Sequence, residues 1–191
     1  TVINASTVDP ETNIRIGAKA AAVGVRFLEA PLLGRPAGVG AWAFLTGGDA
    51  AALESAKPVL AVLAGGPERI FPMGELGSGS TAKLLNNLMF GAINACTAEV
   101  MALAGRLGVS REALFQAAVA AEAGVVSNLY KEIAPRMLVE RFDSPYFPLN
   151  MLSKDTSFAH PKADRAGMPL IVGGVVGRRQ PAAVAIRGGA V

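Results

Sequence analysis

Lys83, Asn87 and Asn94 have residue types and a spacing that suit acid–base chemistry, because they lie at helical intervals in an otherwise apolar segment. At about 100° per residue in a helix, their side chains fall within about 40° of one another. The positive end of a helix dipole and desolvation both disfavour the charged form of a lysine, so a lysine in such a place can exchange protons near neutral pH. The structural alternative is a lysine that extends to water and asparagines that bond neighbouring backbone.

The segment before these residues alternates short strand-like runs with helical ones, as its hydrophobic periodicity indicates. This alternation predicts an α/β unit with parallel strand pairing. Asp9, followed by Pro10 and Glu11, is a helix-start signal, and Asp9 is expected to cap that helix. The predicted strands are residues 1–5, 25–30, 43–46 and 69–72, and the predicted helices are residues 13–23 and 50–63.

From residue 80 onward only helical patterns remain. A long helix over 82–107 is ended by Gly108, and further helices are predicted over 111–121, 128–140 and 151–159. Pro161 is expected to interrupt the last of them. The lysine and the asparagines therefore lie near the start of the longest helix in the chain.

Residues 77–82, Gly-Ser-Gly-Ser-Thr-Ala, match the G-x-G-x-x-G/A pattern of dinucleotide-binding turns, with Glu99 about 20 residues further on. The context does not fit, because such a helix must return to a second parallel strand within about 30 residues, whereas this one continues as helix through Glu99. Lys83 does not complete a phosphate loop either, since the residue directly before it is not glycine and the residue directly after it is not serine or threonine. The favoured interpretation is an interdomain turn in which Ser78 or Ser80 caps the long helix.

The composition indicates a globular protein: the chain has 191 residues, of which 51% are hydrophobic and 17% charged, enough for two small domains. The net charge of +3 comes from the residues after 161, with five basic and one acidic side chains, so the body has no basic excess for nucleic acid. The single cysteine, Cys96, favours a reducing compartment, and the cytoplasm is expected. No apolar run reaches the ~20 residues of a membrane helix. No metal site can be assembled around the only histidine, His160, for which a loop or capping role is expected.

Five motifs, in order along the chain, resemble the β-hydroxyacid dehydrogenases. That family includes 3-hydroxyisobutyrate dehydrogenase, tartronate semialdehyde reductase and, more distantly, 6-phosphogluconate dehydrogenase. The resemblance covers residues 1 to about 170. The motifs are residues 5–10 (Ala-Ser-Thr-Val-Asp-Pro), 27–31 (Phe-Leu-Glu-Ala-Pro) leading into Gly34, 47–49 (Gly-Gly-Asp), 74–79 continuing to 83–87 (Lys-Leu-Leu-Asn-Asn), and 154–155 (Lys-Asp).

The resemblance assigns roles to the polar residues of the long helix. It places the catalytic lysine on Lys83, as general acid/base at the hydroxyl or carbonyl oxygen, and the orienting asparagine on Asn87. It also places the substrate carboxylate near Ser6 and Thr7, just before a helix N-terminus whose free amides suit an anion.

Further contacts follow from the same resemblance. The turn Leu33, Gly34 and Arg35 would contact the substrate, although many members have a serine and paired glycines there; Arg35 would either add an anion contact or face solvent. Lys154 corresponds to a lysine near the nicotinamide cofactor. The alternative for Lys154 is a solvated helix charge beside Asp155.

The fold that the resemblance implies is an α/β remnant of a Rossmann-type dinucleotide-binding domain followed by an all-helical domain, with one long interdomain helix. The expected boundaries are 1–76 for the C-terminal part of the NAD(P)-binding domain, 77–171 for the helical substrate and dimerisation domain, and 172–191 for an irregular tail rich in glycine. The family's first strand, its phosphate turn and its ribose selector have no counterpart in the sequence. We therefore expect a chain that is truncated at its N-terminus, with weak or no cofactor affinity by itself.

The implied activity is hydride transfer between NAD or NADP and a small β-hydroxy acid. The implied partner is a second copy, in a homodimer or homotetramer, with neither nucleic acid nor membrane as a partner. One alternative is a noncatalytic helical oligomerisation or binding module, since the phosphate turn is missing. Another is a relative of the imine reductases, which usually have another residue where Lys83 stands.

Overall fold

The computed structural model describes residues 1–139 and 147–174. The chain divides into two compact units, Thr1–Asn86 and Asn87–Val191. The last residue of the predicted helix 128–140 and most of the predicted irregular tail, residues 175–191, lie outside the described part.

A five-stranded mixed sheet forms the centre of the first unit. β1 pairs in parallel with β2, and β4 pairs in parallel with β5, as the alternation of strands and helices predicts. The prediction of parallel pairing is wrong for β2 and β3, which both run antiparallel to β4. The segment between β2 and β4 contains β3 and no α-helix, whereas a parallel return usually uses a crossover through an α-helix. The strands are β1 (Val2–Asn4), β2 (Phe27–Glu29), β3 (Leu32–Leu33), β4 (Ala43–Gly47) and β5 (Ile70–Gly74).

Two helices accompany this sheet, α1 (Pro10–Ala21) and α2 (Ala50–Ala64). The Asp49 side chain caps α2 by accepting from Ala52 N at 2.7 Å, and Gly65 ends it in the left-handed conformation that glycine adopts without a Cβ penalty. The alanines of α2 that face the sheet are fully buried and allow close approach. The core of the unit comprises Leu28, Ala30, Phe44, Ala52, Ala56, Leu60, Ala64 and Ile70.

The second unit is helical throughout its described residues. Helix α3 (Ser78–Arg106) begins in the first unit and continues into the second, where α4 (Arg111–Ala120), α5 (Asn128–Leu138) and α6 (Leu149–Arg165) follow. Ser110 and Ser127 cap α4 and α5 with their hydroxyl oxygens. Met101, Tyr130 and Ala134 form a buried cluster against which Phe115, Val119 and Leu138 pack.

The expectation that Pro161 interrupts the last helix is wrong, because α6 continues through it to Arg165. Pro58 in α2 and Pro135 in α5 are also inside helices. A proline releases the carbonyl group four residues earlier from its helical hydrogen bond. For all three prolines that earlier residue is exposed, so water can satisfy the released carbonyl; these residues are Glu54, Lys131 and Ser157.

Helix α3 also corrects the expectation about membrane spans. Among the described residues, it is the helix whose length of 29 residues and mean hydropathy would allow it to cross a membrane. The sequence criterion was the number of consecutive uncharged residues, which is too small for a span. Mean hydropathy gives another result because it averages over Lys83 and the asparagines. A core helix of a soluble protein passes the same test, so this finding by itself does not place α3 in a membrane.

Candidate active site

Helix α3 buries polar side chains along one face, beside the buried Leu84 and Met101, and exposes several large apolar side chains. Asn87 is buried at 5% exposure, and Lys83 and Asn94 are half-buried. By helix geometry these three side chains share one face, and the exposed apolar positions lie on the opposite face. Those positions are Leu85, Met89, Val100 and Leu103. Burying a polar group costs free energy unless it is hydrogen-bonded, so the buried polar residues of α3 indicate a functional or hydrogen-bonding role.

Asn87 is held by a buried carboxylate within the second unit. Its Nδ2 donates a hydrogen bond of 2.7 Å to Oδ2 of Asp155, which is 2% exposed. The other oxygen of that carboxylate, Oδ1, lies 3.2 Å from Nζ of Lys154 and has no hydrogen-bond partner among the described residues. The carboxylate of Asp155 therefore fixes the rotamer of Asn87 and holds the half-exposed ammonium group of Lys154. From the sequence, Asp155 was identified only as the neighbour of Lys154.

The start of α3 is capped in a way that the sequence pattern did not reveal. Among the described residues, no backbone N–H donates to Ser78 or Ser80, so the predicted serine cap is wrong; the hydroxyl of Ser78 donates to the carbonyl of Glu75, and that of Ser80 donates to Glu29. The carboxylate of Glu29, which is completely buried on β2, accepts instead from the backbone amides of Gly77 and Gly79, at 2.7 and 2.8 Å. A carboxylate suits the positive end of a helix.

Glycines make this approach possible. A Cβ on Gly47 would overlap Oε1 of Glu29, and a Cβ on Gly79 would overlap the carbonyl oxygen of Leu45. The sequence signal for this site was the run of small residues at 77–80, which was interpreted as an interdomain turn with Ser78 or Ser80 as the cap. Its true partner is a glutamate roughly 50 residues earlier in the chain.

A chain of side-chain hydrogen bonds continues from Glu29 toward the predicted carboxylate-binding segment. Asn13 Nδ2 donates to Oε2 of Glu29 at 2.7 Å and to Oγ of Ser80 at 2.8 Å. Asn4 Nδ2 donates to Oδ1 of Asn13 at 2.8 Å, and the backbone N–H of Ser6 donates to Oδ1 of Asn4 at 3.2 Å. The segment of Ser6 is thereby linked to the first turn of the helix that carries Lys83.

The predicted substrate segment precedes α1. Ser6 is exposed and Thr7 is half-buried, and α1 begins three residues later at Pro10. Asp9 takes the N-cap position, as expected, although its side chain makes no capping hydrogen bond. The predicted anion-binding segment therefore directly precedes a helix N-terminus.

The turn of Gly34 and Arg35 is built against Trp42. The indole Nε1 donates to the carbonyl oxygen of Arg35 at 2.7 Å, and Gly34 has a φ of +147° with the Trp42 ring where a Cβ would stand. Gly34 is therefore required by its backbone and by the ring. This packing fixes the position from which the half-buried Arg35 side chain extends.

The only histidine, His160, lies inside α6 and not in a loop as expected, and it has a structural contact. His160 Nε2 lies 3.2 Å from the carbonyl oxygen of Gly173. Within the part of the chain that the structure describes, no group of three or more His, Cys, Asp and Glu side chains could hold a metal ion.

Comparison with known proteins defines the class to which this fold belongs. Residues 77–190 match the family described as "NAD-binding of NADP-dependent 3-hydroxyisobutyrate dehydrogenase", and residues 1–74 match "NAD binding domain of 6-phosphogluconate dehydrogenase". A crystal structure of 3-hydroxyisobutyrate dehydrogenase from Salmonella typhimurium superposes with a TM-score of 0.89 at 24% identity, covering 99% of this chain and 65% of that one. The fold is that of these nicotinamide-dependent dehydrogenases.

Curated relatives agree with this class. The chain is 31% identical over 177 residues to 3-hydroxyisobutyrate dehydrogenase from Pseudomonas aeruginosa, covering 88% of this chain and 58% of the relative. It is 32% identical over 160 residues to glyoxylate/succinic semialdehyde reductase 1 from Arabidopsis thaliana, covering 82% and 53%. The chain spans about half the length of these relatives. It belongs to the β-hydroxyacid dehydrogenase family, which confirms the resemblance found in the motifs.

Proposed function

We propose that the full-length protein is an oxidoreductase that transfers hydride between NAD or NADP and a small β-hydroxy acid, of the 3-hydroxyisobutyrate or 2-hydroxy-3-oxopropanoate type. The observation that carries the proposal is the inward polar face of α3, where Lys83 and Asn87 stand one turn apart in a chain of this family. The names of the relatives support a short hydroxy acid or its carbonyl form as substrate, since they act on 3-hydroxyisobutyrate, glyoxylate and L-serine.

The proposed roles follow from the chemistry of each group. In oxidation, the Lys83 amine takes the proton of the substrate hydroxyl, and in reduction its ammonium returns that proton to the forming alkoxide. Asn87, whose rotamer Asp155 fixes, hydrogen-bonds the same oxygen and orients it. Ser6, Thr7 and the amides that begin α1 would bind the substrate carboxylate.

Arg35 would add a second contact to the substrate's acidic end. Because the position of the Arg35 backbone is fixed by Trp42, this contact would favour substrates of one length. A serine at this turn in many family members would make a shorter contact, so Arg35 is the residue from which we expect a difference in substrate preference.

The residues described fit a nicotinamide cofactor at Lys154. The support is that this ammonium is 40% exposed and lies 3.2 Å from Oδ1 of the buried Asp155, which constrains its position. When bound, the nicotinamide accepts the carbinol hydrogen as hydride, or returns it in the opposite direction.

We also propose a homodimer, or a homotetramer built from such dimers. The support is the exposed apolar side chains of α3, among which Leu85 and Met89 are four positions apart and Val100 and Leu103 are three positions apart. This arrangement also suits the alternative of a helical binding module without catalysis, and activity separates the two. We expect a soluble protein, and its location in the cytoplasm stays a prediction.

The test compares Lys83→Met with Lys19→Met in the full-length protein. Lys19 is exposed in the last turn of α1, so its replacement removes a lysine without touching the proposed site. We expect Lys83→Met to lower kcat by roughly 10²–10⁴-fold with an unchanged KM for the cofactor, and Lys19→Met to keep wild-type kinetics. Wild-type kcat in Lys83→Met would refute the assigned role. The absence of nicotinamide-linked turnover of any short hydroxy acid by the wild type would favour the binding module.

A further inference from the structure

Glu29 is a completely buried carboxylate to which the proposed function gives no role. Its four polar partners are all hydrogen-bond donors: Gly77 and Gly79 N–H on Oε1, and Asn13 Nδ2 and Ser80 Oγ on Oε2, at 2.6–2.8 Å. An ionised carboxylate has about four lone-pair positions and no hydrogen, so this site is matched to the carboxylate form. Neither arginine nor lysine is among these partners.

The carboxylate determines which way every other group in the chain of hydrogen bonds must point. Asn13 can present only its Nδ2 to Glu29, which leaves its Oδ1 to accept from Asn4. Asn4 must then present its Nδ2 to Asn13, which leaves its Oδ1 to accept the N–H of Ser6. Glu29 therefore determines which group donates and which accepts in each hydrogen bond as far as Ser6.

We propose that Glu29 is a positioning residue for the reaction. Through this chain it fixes two parts of the site in the first unit: the start of α3, from which Lys83 projects, and the Ser6 segment. Ser80, which donates to Glu29, lies three positions before Lys83 on the same side of the helix. The proposal rests on the proposed function, because it gives the network the task of aligning the proton-exchanging lysine with the carboxylate-binding segment.

The variant Glu29→Gln tests the direction of the hydrogen bonds, because glutamine has nearly the same shape as glutamate. An amide accepts with one end only, so if its oxygen keeps Gly77 and Gly79, its NH₂ faces the NH₂ of Asn13, while the Ser80 hydroxyl can rotate to accept. Asn13 could turn over to accept, but then Asn4 must turn as well and present its NH₂ to the N–H of Ser6. Asn13→Asp creates the opposite conflict, with two carboxylates face to face.

The double variant Glu29→Gln/Asn13→Asp provides the decisive comparison. In this variant the direction of the hydrogen bond between positions 29 and 13 is inverted: the new amide oxygen accepts from Gly77 and Gly79, and the new NH₂ donates to the aspartate at position 13. That aspartate also accepts from Ser80 and from Asn4, so every group is again matched and the total charge is unchanged. Each single change thus breaks the chain of hydrogen bonds, and the pair repairs it.

The experiment measures kcat, KM and Tm in the full-length protein. We expect each single variant to lose about tenfold or more in kcat/KM, because small misplacements of reacting groups are costly, and to lower Tm by about 5 °C. We expect the double variant to recover most of both. Glu54→Gln is the matched control, since this glutamate on α2 is 66% exposed and pairs only with Lys57 in the described part of the chain, and we expect wild-type values for it.

The outcomes that overturn the proposal are specific. Wild-type kcat and KM in Glu29→Gln would do so, and so would a double variant as impaired as the worse single one. If Glu29→Gln does not fold, a double variant that folds and turns over supports the proposal, and a double variant that does not fold overturns it.

A readout without turnover separates this proposal from the proposed function. The amide proton shifts of Gly77, Gly79 and Ser6 in NMR spectra report the hydrogen bonds directly. We expect all three to move in Glu29→Gln and to return toward wild-type positions in the double variant. An unmoved Ser6 amide would overturn the link to that segment, whereas moved and restored shifts in a protein without dehydrogenase activity would leave the network in place and reject the dehydrogenase.

Discussion

Gly79→Ala should destabilise the protein although it replaces glycine by the best helix former inside a helix. The Cβ of the new alanine would overlap the carbonyl oxygen of Leu45 and lie 3.1 Å from the amide nitrogen of Gly47. Both atoms are backbone of β4, which cannot rotate away as a flexible side chain would. The first turn of α3 must therefore move off the strand.

The magnitude follows from three contributions. Overpacking costs about 1–3 kcal/mol. Lengthening the 2.8 Å bond from Gly79 N–H to the buried carboxylate of Glu29 costs about 1.5–3 kcal/mol if the bond is lost. Helix propensity returns about 1 kcal/mol. The net loss is about 1.5–5 kcal/mol in the free energy of unfolding, which lowers Tm by about 3–20 °C in a chain of this size.

Gly105→Ala in the same helix is the control, because a Cβ there would have its nearest neighbour at 3.7 Å, in the Arg111 side chain. We expect this substitution to stabilise by about 0.5–1 kcal/mol. Thermal unfolding followed by circular dichroism measures both variants, and kcat/KM shows whether the displaced first turn carries Lys83 with it. A Gly79→Ala protein as stable as Gly105→Ala would refute the close contact between α3 and β4.

Two further predictions concern the second unit and the association of chains. Asn87→Ala should cost about 1–3 kcal/mol by leaving the buried Oδ2 of Asp155 without its hydrogen bond, whereas Asn128→Ala, at an exposed position, should cost less than about 0.5 kcal/mol. Urea denaturation compares the two variants, and equal losses would contradict the assigned burial. Leu103→Glu should convert a dimer to a monomer in light scattering at unchanged helix content, and a dimer that persists would place the interface elsewhere.

The hydrophobic periodicity was sufficient to predict most of the helices and strands to within a few residues. The strand 25–30 appears as β2 and the long helix 82–107 as α3, whose first turn was assigned to the preceding glycine-rich segment instead. The direction of β4 was missed although the absence of a helix between it and β2 excludes a parallel crossover. β3 was missed because two residues are too few to show alternation.

The candidate site could be predicted only where its chemistry is local. Lys83 and Asn87 were found because they lie on one helix face, and a helix repeats over a few residues. Glu29 and Asp155 were missed as partners because their contacts join residues 51 and 68 positions apart, and nothing in a linear pattern distinguishes a buried glutamate on a strand from an exposed one. The glycines at 77 and 79 carried the signal, since small residues are required wherever a backbone approaches closely.

The capping of α3 by Glu29 has a practical consequence for anyone who divides or recombines such chains. The two family profiles meet between residues 74 and 77, so the glutamate lies in the first, while Gly77, Gly79 and Ser80 lie in the second. A chimera joined between residues 74 and 77 would combine Glu29 from one parent with the residues at positions 77, 79 and 80 from another. An excised first segment would enclose a carboxylate deprived of three of its four donors. We expect such a chimera to fold only when Glu29 and the residues Gly77, Gly79 and Ser80 come from the same parent.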